Sequence, residues 1–223
     1  MTKLIFACDV SDSRVGDELL TEIAPEIDIV KIGLEAMTAE ARYGGTIAES
    51  LRIRAIEICG KDVMWDMKLH DVANTMKNAS ANIVKMGAKL FTIHATASDA
   101  ALAAVAEAAG DKSIALAVTV LTDLDDAQCK SRFLPENQVY VGKYVPVLVE
   151  NFAKNAHRLG IRGFVCSPLE VEIIRQVVPD AYIVTPGIRP LWSVTADEQK
   201  RVTTPAQAKR AGADAIVVGR PIS

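Results

Sequence analysis

The chain has 223 residues, half of them apolar, with 25 basic and 28 acidic side chains and a net charge of −3. This apolar content is sufficient for one independent domain, and the acidic balance is not that of a protein that binds nucleic acid. No apolar run approaches the about 18 residues that a membrane span needs. Its four cysteines lie far apart, without a C-x-x-C pair. We therefore predict a cytoplasmic protein that binds neither nucleic acid nor membrane and has no disulfide or zinc framework.

Short β-rich runs alternate with longer segments of helical periodicity along the whole chain. The predicted strands cover residues 3–8, 28–33, 62–67, 89–94, 113–121, 162–166, 181–185 and 214–218. The predicted helices cover residues 12–23, 36–59, 72–86, 99–109, 145–159, 170–177 and 205–211. Helix boundaries carry the expected residues, such as Thr204-Pro205 at the start of the last helix, Gly212 at its end and Gly110 after the helix over 99–109.

The predicted strands are nearly continuous apolar runs, which is typical of parallel strands that are buried on both faces and covered by helices. Eight such strands alternating with seven helices, at a repeat of about 30 residues, predict a (β/α)₈ TIM barrel. A doubly wound open sheet is the alternative, but no G-x-G-x-x-G follows the first strand. The sequence given stops at Ser223, just after the eighth strand. We therefore expect a single barrel domain over residues 1–223 whose closing eighth helix is absent.

Polar residues stand where the predicted strands end, which is the catalytic face of such barrels. These residues are Asp9, Lys31, Asp66, Lys68, Asp71, His94, Thr122 and Arg220. Unpaired buried charges are costly, so we expect the charged members to pair with one another. The alternatives are an ordinary surface charge run for Asp66, Lys68 and Asp71, and an edge-strand lysine for Lys31. Gly33, directly after the second strand, would let the backbone approach a ligand closely.

The C-terminal strand end predicts a phosphate site. Gly219 and Arg220 follow the eighth strand, and barrels commonly bind phosphate between the loops after strands seven and eight. The seventh loop, over residues 186–202, is long enough to be a lid or a binding loop. With no carboxylate–histidine set at ligand spacing, a tightly held metal is not expected. The residues alone predict a barrel enzyme acting on a small phosphorylated substrate, without naming the reaction.

The same segments resemble the orotidine 5′-phosphate decarboxylase family over essentially the whole chain. The matching pieces are FACD at 6–9, VKIG at 30–33, DMKLHDVANT at 66–75, IHA at 93–95, TVLT at 119–122, TPGIRP at 185–190 and VGRPI at 218–222. The D-x-K-x-x-D pattern is shared with keto-gulonate phosphate decarboxylases and hexulose phosphate synthases, which bind magnesium and carry an acidic residue in place of Lys31. Lys31, Thr75 and the P-G-I-R-P segment favour the orotidylate enzyme.

The resemblance implies conversion of orotidine 5′-phosphate to UMP, the last step of de novo pyrimidine synthesis, without metal or cofactor. It implies that Lys68 donates a proton to C6 of the pyrimidine, that Asp66 and Asp71 flank Lys68, and that Lys31 completes the charge network. The implied substrate contacts are Asp9 and Lys31 to the ribose, Thr122 to the pyrimidine amide, and Arg189, Gln199, Gly219 and Arg220 to the 5′-phosphate region.

The resemblance also implies a homodimer, because Asp71 and Thr75 of the family's pattern enter the active site of the other subunit. Two functional alternatives remain open at this point. One is the magnesium-dependent chemistry of the sister group on a sugar phosphate, and the other is a barrel that binds a nucleotide without catalysis.

Overall fold

The structure is a computed structural model that describes residues 1–40, 45–135, 137–193 and 203–222. Its eight strands are all parallel and close into a barrel in chain order. The strands are β1 Lys3–Ala7, β2 Ile29–Gly33, β3 Asp62–Leu69, β4 Leu90–His94, β5 Ile114–Val118, β6 Gly163–Val165, β7 Tyr182–Thr185 and β8 Ala215–Val218. The predicted barrel is confirmed. Most strand residues are buried, and in β2 all five are, whereas β1, β3 and β8 also contain partly buried residues.

Helices surround the barrel. Within the described residues they are α1 Ser13–Ile23, α2 Leu34–Thr38, α3 Ile47–Ile53, α4 Ala73–Lys85, α5 Asp99–Ala109, α6 Asp126–Phe133, α7 Val145–Arg158, α8 Val171–Val177 and α9 Pro205–Ala211. The predicted boundary residues are in place: Thr204 caps α9, Gly110 follows α5, and Gly212 follows α9 in the left-handed conformation. Ser98 caps the start of α5. These caps satisfy backbone groups that the helix ends leave without partners.

The prediction of one helix over residues 36–59 is wrong. The chain leaves α2 at Ala39 in an extended conformation, and a new helix begins where the Thr46 side chain accepts a hydrogen bond from the Glu49 N–H. Gly45, just before this cap, has a φ of 80°, which a helix does not allow. The segment ends in a π-helical turn, Arg54–Ile58. Apolar periodicity continues across this break because both helices face the same core.

Helix α6 was not predicted. It begins with a capping box between Asp125 and Gln128, but Cys129 is its one buried residue. A helix with so narrow an apolar face gives little periodic signal. Strand lengths also differ, since β3 continues to Leu69 and β5 stops at Val118.

The barrel interior has an apolar layer toward the N-terminal ends of the strands. Every strand except β6 contributes one residue to it: Ile5, Ile29, Met64, Leu90, Leu116, Val184 and Ala215. On β6 the corresponding neighbour is Gly163, where a Cβ would lie 2.6 Å from side-chain atoms of both Ile114 and Leu116. The barrel is therefore closed below its C-terminal end, and polar side chains there stand above an apolar floor.

All four cysteines are free thiols. In the described ranges, no helix is sufficiently long and apolar to cross a membrane. The cytoplasmic location inferred from the sequence stays a prediction.

Candidate active site

Four charged side chains from three adjacent strands form a chain of ion pairs at the C-terminal end of the barrel. Lys31 Nζ on β2 lies 2.8 Å from Asp9 Oδ1, just after β1, and 3.5 Å from Asp66 Oδ2 on β3. Lys68 Nζ lies 2.9 Å from Asp66 Oδ1. The order is therefore Asp9, Lys31, Asp66, Lys68, with alternating charge. The pairing expected from the strand-end positions is present for these four residues.

The two middle residues of this series of ion pairs, Lys31 and Asp66, are more buried than the two at its ends. The side chains of Lys31 and Asp66 are 9% and 14% exposed, whereas those of Lys68 and Asp9 are 32% and 45% exposed. Burial alone would raise the pKa of Asp66, but the charges of Lys31 and Lys68, with hydrogen bonds from Lys68 and Thr92, outweigh it and leave that pKa below its ordinary value. Asp66 is therefore a carboxylate at neutral pH, held between two ammonium groups.

Gly33 provides space for these charges. A Cβ at this position would lie 2.7 Å from Asp9 Oδ1 and 3.1 Å from Lys31 Nζ. The absent side chain thus makes room for the Asp9–Lys31 ion pair. The expectation that Gly33 lets a ligand approach the backbone closely stays a prediction.

Thr92, on β4, was not singled out from the sequence, yet it contacts two of the four charged residues. Its Oγ1 donates to Asp66 Oδ1 and accepts from the backbone N–H of Lys68, both at 2.9 Å. The one signal that could have identified it is a polar residue inside an otherwise apolar strand, two positions before His94.

Asp71 and Thr75 are not part of this cluster within one chain. Both are exposed, and Asp71 Oδ1 accepts a hydrogen bond from the N–H of Val72 at 2.6 Å. No ion pair joins Asp71 to Lys68 within the described residues of the single chain. Within one chain Asp71 therefore does not contact Lys68, because it lies on the exposed segment between β3 and α4. Its implied role beside Lys68 of a second subunit stays a prediction.

Two adjoining cavities open at this end of the barrel. The larger, of about 500 Å³, is lined by Asp9, Lys31 and the segments around Arg189 and Arg220. The smaller, of about 180 Å³, lies against Lys31, Asp66, Lys68 and Thr122. Its remaining wall is mostly apolar and includes Met64, Val118, Val120, Leu121, Val165, Cys166, Pro186 and Val217. Apart from Pro186, which begins the predicted lid or binding loop, the sequence interpretation assigned no site role to these wall residues, because apolar strand residues give no chemical signal.

The predicted phosphate-site residues line the larger cavity. Gly187, Arg189, Gly219 and Arg220 all contribute to its wall, with Arg189 9% exposed and Arg220 exposed. Gln199 lies outside the described residues. A cavity with a carboxylate and an ammonium on one side and two guanidinium groups on another suits an anionic, hydroxyl-bearing ligand.

His94 stands beside the cluster but makes a different contact. Its ring meets that of His70 edge-on, with centroids 5.6 Å apart, and His70 Nε2 lies 3.2 Å from Thr96 Oγ1. Burial lowers the pKa of His94, and the charges of His70 and Lys68 lower it further. His94 is accordingly a neutral imidazole near pH 7.

Comparison with known proteins shows which family this chain belongs to. Residues 2–223 match the family model described as Orotidine 5'-phosphate decarboxylase / HUMPS family. The protein named orotidine 5'-phosphate decarboxylase in Geotalea uraniireducens is 36% identical, with 99% of this chain and 88% of that protein covered. Its namesake in Paramagnetospirillum magneticum is 38% identical, with 97% and 89% covered.

A solved structure agrees with this similarity. The crystal structure of orotidine 5'-phosphate decarboxylase from Lactobacillus acidophilus superimposes with a TM-score of 0.74 at 28% identity. The superposition covers 99% of this chain and 91% of that one.

Proposed function

Because this chain is a carboxy-lyase of the orotidine 5'-phosphate decarboxylase / HUMPS family, we propose that it converts orotidine 5′-phosphate to UMP without a metal or an organic cofactor. The observation that carries the proposal is the Lys68 ammonium, 2.9 Å from Asp66, at the wall of the smaller cavity. A cation fixed beside a mostly apolar cavity is the group that a developing carbanion requires.

The chemical step needs only this chain's own residues. The bond between C6 and the carboxylate breaks, CO₂ leaves, and the electron pair stays on C6. Lys68 stabilises that charge and then transfers a proton from Nζ to C6, after which the neutral amine regains a proton from solvent. The substrate carboxylate would lie near Asp66, where like-charge repulsion is relieved as CO₂ departs.

The cavities suit the rest of the substrate. The pyrimidine would occupy the smaller, mostly apolar cavity with Thr122 at its amide, and the ribose hydroxyls would contact Asp9 and Lys31. The 5′-phosphate would bind Arg189, Gly219 and Arg220 in the larger cavity, and Gln199 is predicted to join them. Because these phosphate contacts are far from the bond that breaks, their binding energy serves to position the ring.

The side chains that could bind a metal at this site argue against the magnesium-dependent chemistry of the sister enzymes. Magnesium requires oxygen ligands in octahedral geometry, but Asp9 and Asp66 already share the Lys31 ammonium. A metal bound between these carboxylates would have to displace a buried lysine. We therefore propose that the Lys31 ammonium supplies the fixed positive charge between Asp9 and Asp66 that a metal ion would otherwise supply.

The direct test is a spectrophotometric assay of orotidine 5′-phosphate turnover with and without excess EDTA. We expect decarboxylation at an unchanged rate under chelation. Loss of turnover with EDTA, restored by magnesium, would instead support the sister chemistry. Tight UMP binding by a folded sample that never decarboxylates the substrate would support a non-catalytic nucleotide-binding barrel.

We further propose a homodimer in which Asp71 and Thr75 of one subunit reach the active site of the other. Asp71 is exposed beside Val72, an apolar side chain that is 67% exposed, which is the composition expected of a surface covered by a second copy. In the dimer, Asp71 would supply the second carboxylate to Lys68.

Mixing Lys68→Ala with Asp71→Ala tests this arrangement, because each mixed dimer would contain one site with both native residues. Random reassortment should restore about a quarter of the wild-type activity, since half of the dimers are mixed and each has one native site. If mixed dimers are shown to form but have no activity, the shared site is contradicted. The role of Lys68 within its own subunit is tested separately.

A further inference from the structure

Strand β3 departs from a regular parallel ladder at the position of Lys68. Met64 and Trp65 pair with Leu90 and Phe91, but the next pair along the strands is Leu69 with Ile93. Residues 66–68 of β3 therefore stand opposite a single residue of β4, Thr92. Such an irregularity bends the strand and re-aims side chains.

The backbone of Lys68 is itself unusual. Its φ is 50°, and among the described residues it is the one non-glycine residue with a positive φ. A residue with a side chain adopts this conformation only where its surroundings hold it there. The conformation turns the Lys68 side chain back toward Asp66, two positions earlier on the same strand.

Thr92 provides the holding contacts. Its side chain is 1% exposed, so its hydroxyl has no access to bulk water. Oγ1 accepts from the Lys68 N–H and donates to Asp66 Oδ1, each at 2.9 Å. The same Asp66 oxygen accepts from Lys68 Nζ, also at 2.9 Å. The hydroxyl thus joins the backbone of Lys68 to the carboxylate that holds its ammonium.

We propose that Thr92 is a positioning residue for decarboxylation, which fixes the backbone of Lys68 and the carboxylate of Asp66 so that the ammonium faces the reacting carbon. This inference rests on the proposed role of Lys68 as proton donor. A hydroxyl is required because the group must accept one hydrogen bond and donate another, which an alkyl group cannot do. Without it, the Lys68 N–H loses its acceptor at the irregular part of the strand.

Loss of this hydroxyl should affect the chemical step more than substrate binding. The ammonium needs a defined distance from C6, and small displacements of a reacting group are costly. Arg189, Gly219 and Arg220 line the larger cavity, whereas Thr92 lines the smaller one. Because Thr92 is part of this wall, a test variant has to preserve the side-chain volume.

The test is steady-state kinetics of Thr92→Val, which keeps the branched shape and removes the hydroxyl. We expect kcat to fall about ten- to a hundredfold, with KM changed by less than about threefold. Thr92→Ser, which restores the hydroxyl, should recover most of kcat.

The pH dependence of kcat distinguishes a positioning role from a purely structural role, because a purely structural role would leave it unchanged. The hydrogen bond from Thr92 favours the ionised form of Asp66, together with Lys31 and Lys68, which face the same carboxylate. Without that bond the pKa of Asp66 rises, so the acid limb of kcat in Thr92→Val should shift to higher pH. His94, its neighbour His70 and the cavity residue Cys166 are the same in both proteins.

Thr185→Val is the matched control. Thr185 lies on β7, is fully buried, and has a hydroxyl without a hydrogen-bond partner among the described residues. This variant should keep both kcat and the acid limb. If Thr92→Val does the same while Lys68→Ala is inactive, the positioning role is overturned and the proposed chemistry stands.

Two further outcomes are distinguishable. Full turnover by folded Lys68→Ala would overturn the proposed mechanism itself, and the role of Thr92 with it. Should Thr92→Val not fold, Thr92→Ser and Thr92→Ala replace it in the comparison. Equal kcat in folded samples of these two would then refute the requirement for a hydroxyl.

Discussion

The two ends of the barrel interior have opposite chemistry, although they are built from the same strands. On β2, Ile29 belongs to the apolar floor and Lys31 to the ion-pair chain; on β3, Met64 and Asp66 stand in the same relation. Residues two apart on a strand point to the same face. On these two strands the interior therefore changes from apolar to charged within two residues.

This contrast separates stability from chemistry. Apolar floor residues contribute free energy of folding by burial, and their truncation leaves a cavity. Buried ion pairs contribute little net stability, because desolvation offsets their attraction. Substitutions at the floor should therefore change unfolding more than turnover. Substitutions in the ion-pair chain should change turnover most, although removing one partner of a buried pair also lowers stability.

Asp66→Asn should show the largest effect among the substitutions that sharpen this contrast. It removes the carboxylate that holds Lys68, and we expect kcat to fall about a thousandfold. The folded-state pKa of Asp66 is lowered, so its ionised form stabilises the fold above the ordinary carboxyl pKa, and that contribution is lost as pH falls. Urea unfolding between about pH 7 and pH 3 should thus show a weaker pH dependence in the variant. Equal pH dependence in the two proteins would contradict the assigned charge state.

Arg220→Ala should have an intermediate effect, mostly on KM. Loss of a guanidinium from the larger cavity should raise KM for orotidine 5′-phosphate about ten- to a hundredfold. Orotidine, which lacks the phosphate, should be processed with the same kcat/KM by the variant and the wild type. Arg210→Ala, which removes an exposed arginine from the last turn of α9, is the control. Equal losses on both substrates would show that Arg220 does not contact phosphate.

Leu90→Ala should change turnover least. Leu90 is fully buried in the apolar floor, and its truncation should reduce the free energy of unfolding by about 2–5 kcal/mol. The folded fraction should keep the kcat of the wild type, measured at a temperature where both proteins are folded. A large fall in kcat without loss of stability would break the proposed separation of the two ends.

The sequence predicted the parts of this molecule that have a local signal. Apolar runs located all eight strands, and the strand-end positions brought Asp9, Lys31, Asp66 and Lys68 together. The role of Thr92 had no such signal, because it depends on the irregular pairing of β3 with β4 and on the φ of Lys68. The irregular pairing and the φ of Lys68 both depend on how β3 and β4 align with each other. The composition of a single strand does not reveal that alignment.

Other differences have equally physical causes. Asp71 belongs to the D-x-K-x-x-D pattern, yet its position past the end of β3 leaves it exposed in one chain. Spacing along a sequence does not say whether a side chain folds back or faces a second subunit. The break after α2 was missed because both helices bury residues in the same core, so the apolar pattern continues across it.

The most direct test of the account is the turnover of Lys68→Ala with orotidine 5′-phosphate. The account predicts that kcat falls at least about ten-thousandfold, because both the proton donor and the fixed cation are lost. Thermal unfolding and UMP binding should remain close to those of the wild type. A folded variant that retains kcat within about tenfold of the wild type would contradict the assignment of Lys68 as proton donor.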